Sequence, residues 1–231
     1  MDQKYRKEKS IQTKQNRLLD EWGIDIEPYR FKAVLDFVLT NSRILDVGAG
    51  QGAYVRKLLG LGYDIVGIDS HAYTAWGELY EKYLFKCNAD CLPFQDNQFD
   101  ATLCFECLEH CHNPEEVLLE ILRCTKSTLI LSVPNCDLSN SLYKHSLALA
   151  HWTDRSHCNF YTEEKIRSLL HCCHYDIISM SHCFQVPLQE FFIDSLNLPP
   201  LLKRLISIMV KKSNLFRRYW SSLLIVAKVR K

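Results

Sequence analysis

Glycine and proline are scarce in this chain of 231 residues, at 8 and 7, which excludes collagen-like and low-complexity classes. No run of about 18 apolar residues occurs, so no segment reads as a membrane-spanning helix. The longest candidate, Leu205 to Val210, is short and is bounded by Lys203, Arg204, Lys211 and Lys212. No apolar h-region of a secretory signal is found, and neither is an internal repeat. The 11 cysteines fall below the roughly 8–10% density of disulfide scaffolds. They are expected to be reduced thiols, in a cytoplasm.

The remaining composition is that of an ordinary globular domain, with 47% hydrophobic and 24% charged residues. A formal net charge of +1 conceals an uneven distribution. Residues 1–17 hold six basic and two acidic side chains, residues 195–231 hold nine basic and none acidic, and the stretch between holds 13 basic against 25 acidic. An acidic body with basic ends argues against nucleic acid as a partner, because that partner calls for a basic face or stripe.

Residues 1–22 are polar without clear periodicity and read as an arm. Residues 23–231 read as a single domain with a helical insertion, or lid, at about 186–219. Apolar residues recur at helical spacing from Ile24 to Leu39. The period then shortens: Arg43–Val47 and Asp64–Ile68 read as strands flanking a helix over Tyr54–Leu61 closed by Gly62. The alternation continues with a helix over Tyr73–Tyr83, strands near Leu84–Cys87 and Phe99–Phe105, a helix over Pro114–Cys124 and a strand over Thr128–Val133. A helix capped by Thr162 follows, then strands over Tyr175–Cys183 and Ser222–Val229. Strands separated by helices predict an α/β fold with a mostly parallel sheet covered on both faces.

The chemistry concentrates where the first strand ends. Ile44-Leu-Asp-Val-Gly-Ala-Gly-Gln-Gly-Ala-Tyr-Val55 puts three glycines at a strand-to-helix turn, where backbone can approach a ligand closely. Asp69 ends the next strand, where a carboxylate can accept both hydroxyls of a ribose. The pattern Gly48, Gly50, Ala53 also fits a dinucleotide loop loosely, which leaves a nicotinamide-dependent oxidoreductase as an alternative. Asp46 weighs against it, because a fixed negative charge gains nothing beside a pyrophosphate but favours a cationic ligand. S-adenosylmethionine, with a sulfonium, an ammonium and no phosphate, fits that charge. Asp90, after the third strand, is placed to accept from an adenine amino group.

These segments, with Gly67-Ile-Asp69, Ala89-Asp-Cys-Leu-Pro-Phe94, Phe99-Asp-Ala-Thr102, Leu108-Glu-His110 with Pro114, and Val133-Pro-Asn135, resemble the class I S-adenosylmethionine-dependent methyltransferases. The resemblance lies near the type 11 methyltransferase domain and the ubiquinone and menaquinone biosynthesis enzymes, and spans about residues 25–183. It implies a Rossmann-like sheet of seven strands with the last antiparallel and helices on both faces. The cofactor would lie across the ends of the first, second and fourth strands, held by Asp46, Gly48, Ala49, Gly50, Asp69, Ser70, Ala89, Asp90 and Phe105. One departure is Thr125-Lys-Ser-Thr128, where such enzymes usually carry Lys-Pro-Gly-Gly. A non-catalytic binding or scaffold protein that kept the fold is the other alternative.

Methyl transfer is an in-line displacement, so positioning supplies most of the rate and a base is needed only if the acceptor must lose a proton. The loop His151-Trp-Thr-Asp-Arg-Ser-His-Cys-Asn-Phe-Tyr-Thr162 holds the candidate catalytic residues: His157 and then His151 as base, with Asp154 orienting. The same polar residues equally serve to close the loop on itself. Glu106 and His110 are expected near the transferred methyl. Cys104, Cys107, His110, Cys111 and His112 form one soft-ligand cluster and His171-Cys-Cys-His174 another. Neither repeats the paired spacing of a zinc ribbon, so no metal is expected. Residues 201–212 form a basic amphipathic helix. It is expected to pack its apolar face on the domain as a lid, with peripheral contact to an anionic membrane as the alternative. The acceptor expected is a small molecule, glycan or lipid-linked compound, methylated on oxygen.

Overall fold

The computed structural model describes residues 26–138, 152, 154–186, 193–213 and 219–230. The expected arm at 1–22, the start of the first helix at Ile24, and His151 lie outside these residues.

Pro28 at the first helical position and the Glu27 carboxylate, which accepts from Arg30 N at 2.7 Å, start helix α1 (Pro28–Phe37). Strand β1 (Arg43–Val47), helix α2 (Ala53–Leu59) and strand β2 (Asp64–Asp69) form the expected βαβ unit. The helix expected at 73–83 is instead a 3₁₀ turn over Thr74–Leu79, broken where Gly77 takes φ 49° and ψ −126°. A glycine costs helix stability, and this one adopts a conformation that no helix contains. Strand β3 (Leu84–Lys86), strand β4 (Phe99–Phe105), helix α3 (Pro114–Cys124) and strand β5 (Thr125–Pro134) follow. Helix α4 (Glu163–Cys172) begins at Thr162, whose hydroxyl accepts from Lys165 N at 3.2 Å. Strand β6 (Tyr175–Val186), helix α5 (Pro200–Ser213) and strand β7 (Tyr219–Val229) follow among the described residues.

The seven strands form one sheet in the order β3-β2-β1-β4-β5-β7-β6. Strands β1 to β5 pair in parallel, and β7 runs antiparallel to both β5 and β6. Side chains alternate between two cores. Leu45, Val47, Leu129, Leu131, Leu223 and Ile225 join Val117, Leu118 and Ile121 of α3 and Ile166 and Leu170 of α4 on one face. Ile44, Ile130, Leu224 and Val226 join Ala33 and Val34 of α1 and Val55 and Leu58 of α2 on the other. Period 2 along the strands is what delivers both layers.

Helix α5 departs from expectation. Its apolar face is turned outward: Leu201, Leu205 and Met209 are 72%, 52% and 70% exposed, with Leu202 and Ile208 exposed beside them. A lid packing that face on the domain is therefore not what the structure shows. Among the described residues no helix is long and apolar enough to cross a membrane.

Gly67 of β2 pairs with Asp46 of β1 at the point where the glycine turn crosses over it. A Cβ there would stand 2.8 Å from side-chain carbons of Ala49, Leu84 and Val55. Gly67→Ala is expected to lower stability by about 1–3 kcal/mol through overpacking, read from the urea unfolding midpoint. An unchanged midpoint would show that the layer yields.

Candidate functional site

The sheet order reverses direction beside β1, with β2 on one side and β4 on the other. At such a switch point the loops leaving the two strands diverge and open a crevice past their carboxyl ends. The turn after β1 fills the floor of this crevice with left-handed backbone, at φ 75° for Gly48, 51° for Gly50 and 80° for Gly52. Gly48 N and Ala49 N both donate to Ile68 O at 2.9 Å, and Gly50 N donates to Asp69 Oδ2 at 2.9 Å. The turn is thereby tied to the end of β2. Trp76 Nε1 donates to Gly50 O at 2.7 Å from the far side.

The glycines differ in what they permit. A Cβ on Gly48 would meet Cys107 Cβ and Sγ at 2.8 Å, so this glycine lets the turns after β1 and β4 touch. A Cβ on Gly50 would meet no atom of the described residues within 4 Å. It faces open space, where a ligand can approach the backbone.

Asp46 is 3% exposed at the end of β1. Burial first, and then the charge of Asp69, push its carboxyl up to about 7. The charge acting on it is that of another acid. Such a group fits a cationic ligand, and would repel a phosphate. The residues present thus fit S-adenosylmethionine: an open glycine backbone, a buried acid for a positive centre, and Asp69 beside it. Both Asp69 oxygens already accept backbone N–H groups, from Gly50 and from His71 at 3.0 Å, and each keeps a lone pair for a ribose hydroxyl.

The other expected cofactor residues fall around the same rim. Ser70 is exposed after β2, with its Oγ 2.9 Å from His71 Nδ1. Ala89 and exposed Asp90 follow β3. Phe105, buried at the end of β4, packs against Tyr54 at 4.8 Å between ring centroids.

Past β4 the chain enters a second cluster. Glu106 sits at φ 48°, a conformation that a non-glycine residue holds only when its surroundings enforce it. Its Oε1 accepts from Arg30 Nη2 at 2.7 Å and from Ser132 Oγ at 3.0 Å. Arg30 itself lies over the Phe105 ring at 5.7 Å. Sequence reasoning missed Arg30. Its one signal, a cation between Tyr29 and Phe31 in an apolar helix face, does not say what it meets.

Asp154 Oδ1 accepts from Ser156 N at 2.9 Å and Ser156 Oγ at 2.6 Å, which closes its own loop. His157 Nε2 stands 3.7 Å from Asp154 Oδ2, an ion-pair distance beyond that of a hydrogen bond. The His157 ring meets His110 edge to face, at 4.7 Å between centroids. The loop therefore reaches the turn after β4.

Residues 45–132 match the sequence model of a family described as a methyltransferase domain. A tRNA U34 carboxymethyltransferase of Pseudomonas fluorescens is 33% identical over 113 residues, covering 45% of this chain and 35% of that protein. A ubiquinone biosynthesis O-methyltransferase of Rickettsia bellii is 26% identical over 139 residues, covering 53% and 57%. The chain thus spans between a third and somewhat over half the length of these relatives. Among solved structures, a Burkholderia thailandensis 1,6-didemethyltoxoflavin N1-methyltransferase with bound S-adenosylhomocysteine superposes with a TM-score of 0.62 at 16% identity. That likeness covers 96% of this chain and 85% of the other.

Asp46 generates a prediction. Its carboxyl binds a proton up to about pH 7 in the folded chain, against 3.8 for a free aspartate. The contribution to stability is complete below the lower value and is lost as pH rises through the upper one. Asp46→Asn removes this loss. Between pH 5 and pH 8.5 the variant should gain about 2–3 kcal/mol on the native chain, measured by urea unfolding at both pH values. A pH-independent difference would refute the buried, proton-holding carboxyl.

Proposed function

We propose that this chain, whose residues 45–132 carry a class I S-adenosylmethionine-dependent methyltransferase domain, transfers the cofactor's methyl group to an oxygen of a small-molecule, glycan or lipid-linked acceptor. The observation that carries the reading is the buried Asp46 carboxylate at the mouth of a glycine turn, on which the Asp69 carboxylate acts as a like charge. A pyrophosphate would bring like charge to this place, and a sulfonium or ammonium brings the opposite one. The nicotinamide alternative loses its footing there.

When bound, the cofactor supplies a methyl on a cationic sulfur, open to in-line attack. The chain's own contribution is placement. Gly48 and Gly50 bring backbone close, Asp69 aligns a ribose, and Asp90 takes up an adenine amino group. Glu106 is held toward the acceptor side by Arg30 and Ser132, and the loop carrying Asp154 and His157 forms the facing wall. A deprotonating role falls to His157, with Asp154 steadying the loop that presents it.

An apolar acceptor is favoured by helix α5. Its outward residues Leu201, Leu202, Leu205, Ile208 and Met209 cover an arc of about 120° at 100° per residue, with Arg204 at one border. Lys203 Nζ is turned back, donating to Asp194 O at 2.7 Å. An outward apolar arc beside cations suits the surface of an anionic bilayer, where a lipid-linked acceptor resides.

Two measurements test this. Calorimetric titration with S-adenosylmethionine, S-adenosylhomocysteine and NAD is expected to give micromolar binding of the first two, lost in Asp69→Ala. Failure of both adenosyl ligands to bind folded protein would sink the assignment and favour the scaffold alternative. In sedimentation with vesicles, the chain should follow phosphatidylglycerol and leave phosphatidylcholine. Leu205→Asp with Met209→Asp should remain in the supernatant, and a variant that still sediments would overturn the membrane contact.

A further inference from the structure

The two turns that wall the acceptor side are stitched together by backbone. Cys158 N and Asn159 N donate to Glu109 O at 2.8 and 3.1 Å. Asn159 Nδ2 donates to Leu108 O and Cys111 O at 3.3 and 2.5 Å, and Tyr161 OH donates to Leu108 O at 3.3 Å. His110 Nδ1 lies 3.3 Å from Ser156 O, 46 positions away in sequence. This lacing delivers His157 to His110 and places both beside Glu109.

Glu109 is the anomaly of the cluster. It is 1% exposed, and its Oε2 has no hydrogen-bond partner. A buried carboxylate oxygen without a donor carries a large desolvation cost. Arg30, the nearby cation, is taken by Glu106. A ligand atom from each of Glu109, His110 and His157 lies within 4.8 Å of the other two.

We propose that Glu109, His110 and His157 form a binding site for a divalent transition-metal cation of the zinc class. Two imidazoles and one carboxylate are the donor set that such ions take when three protein ligands leave a position open for water or a substrate oxygen; with the ion bound, His157 serves as a ligand in place of the base proposed above. Bonds of about 2.0–2.1 Å in tetrahedral geometry put ligand atoms about 3.4 Å apart. Turning the exposed His110 imidazole toward Glu109 and the largely buried His157 ring closes the remaining gap. The Asp154 carboxylate, 3.7 Å from His157 Nε2, is within reach of the role by which outer carboxylates orient metal-bound imidazoles. The sequence drew attention to cysteine-rich stretches and missed this set, because its third member arrives from a separate loop.

The test uses the full chain, stripped with a chelator, kept reduced with a phosphine, and titrated with cobalt(II) and zinc(II). One equivalent of cobalt is expected, with a visible d–d band and without the near-ultraviolet charge transfer of thiolate ligation. His157→Ala and His110→Gln should each weaken binding at least tenfold while circular dichroism and the thermal midpoint show a folded chain. Glu109→Gln should do the same. Cys111→Ser and Cys158→Ser should leave the affinity unchanged. Wild-type affinity in the folded histidine variants would overturn the site, as would a thiolate spectrum abolished by the cysteine variants or the absence of stoichiometric binding.

Discussion

The chain can leave β1 only through backbone that side-chain-bearing residues rarely adopt, and the rest of the site depends on that exit. Gly48, Gly50 and Gly52 each take positive φ, and the reversal they allow brings two successive N–H groups onto Ile68 O. Because the missing Cβ of Gly48 is what admits Cys107, the turn after β1 and the turn after β4 are packed against each other. The floor of the crevice and the turn after β4 form one unit. A change at either turn is transmitted to the other through a contact with no slack.

Charge is handled differently on the two sides of that contact. On the floor, Asp46 is buried near Asp69, and its proton affinity rises in consequence. This is an unfavourable arrangement in the free chain that a positive ligand relieves. On the wall, Glu106 is neutralised by Arg30, which reaches it from α1, while Glu109 a turn later is buried with one oxygen unpartnered. Both places store electrostatic cost, a feature by which binding sites are distinguished from packing.

The outward apolar arc of α5 belongs to the same logic at the surface. In sequence, residues 195–231 hold nine basic residues and no acid, against an acidic excess in the stretch before them. The anionic-bilayer contact proposed above rests on that outward arc.

Much of this was legible in one dimension. Period-2 apolar runs at Arg43–Val47 and Phe99–Phe105, the glycine spacing after Val47, the Thr162 cap and the carboxylates at 46 and 69 all act through neighbours a few positions away, so local sequence determines them. The 3₁₀ break at Gly77 is a local event that helical periodicity hid. Arg30 meeting Glu106, the lacing of Cys158 and Asn159 to Glu109, and the outward roll of α5 could not be read in this way. Each depends on which distant backbone groups are left to pair once the sheet has formed. Sequence determined the fold class, the glycine turn after β1 and the acids around it. Tertiary structure decided which histidines meet, which carboxylate stays unpartnered and which face of α5 meets solvent, because those outcomes are set by hydrogen bonds and packing between segments that no periodicity connects.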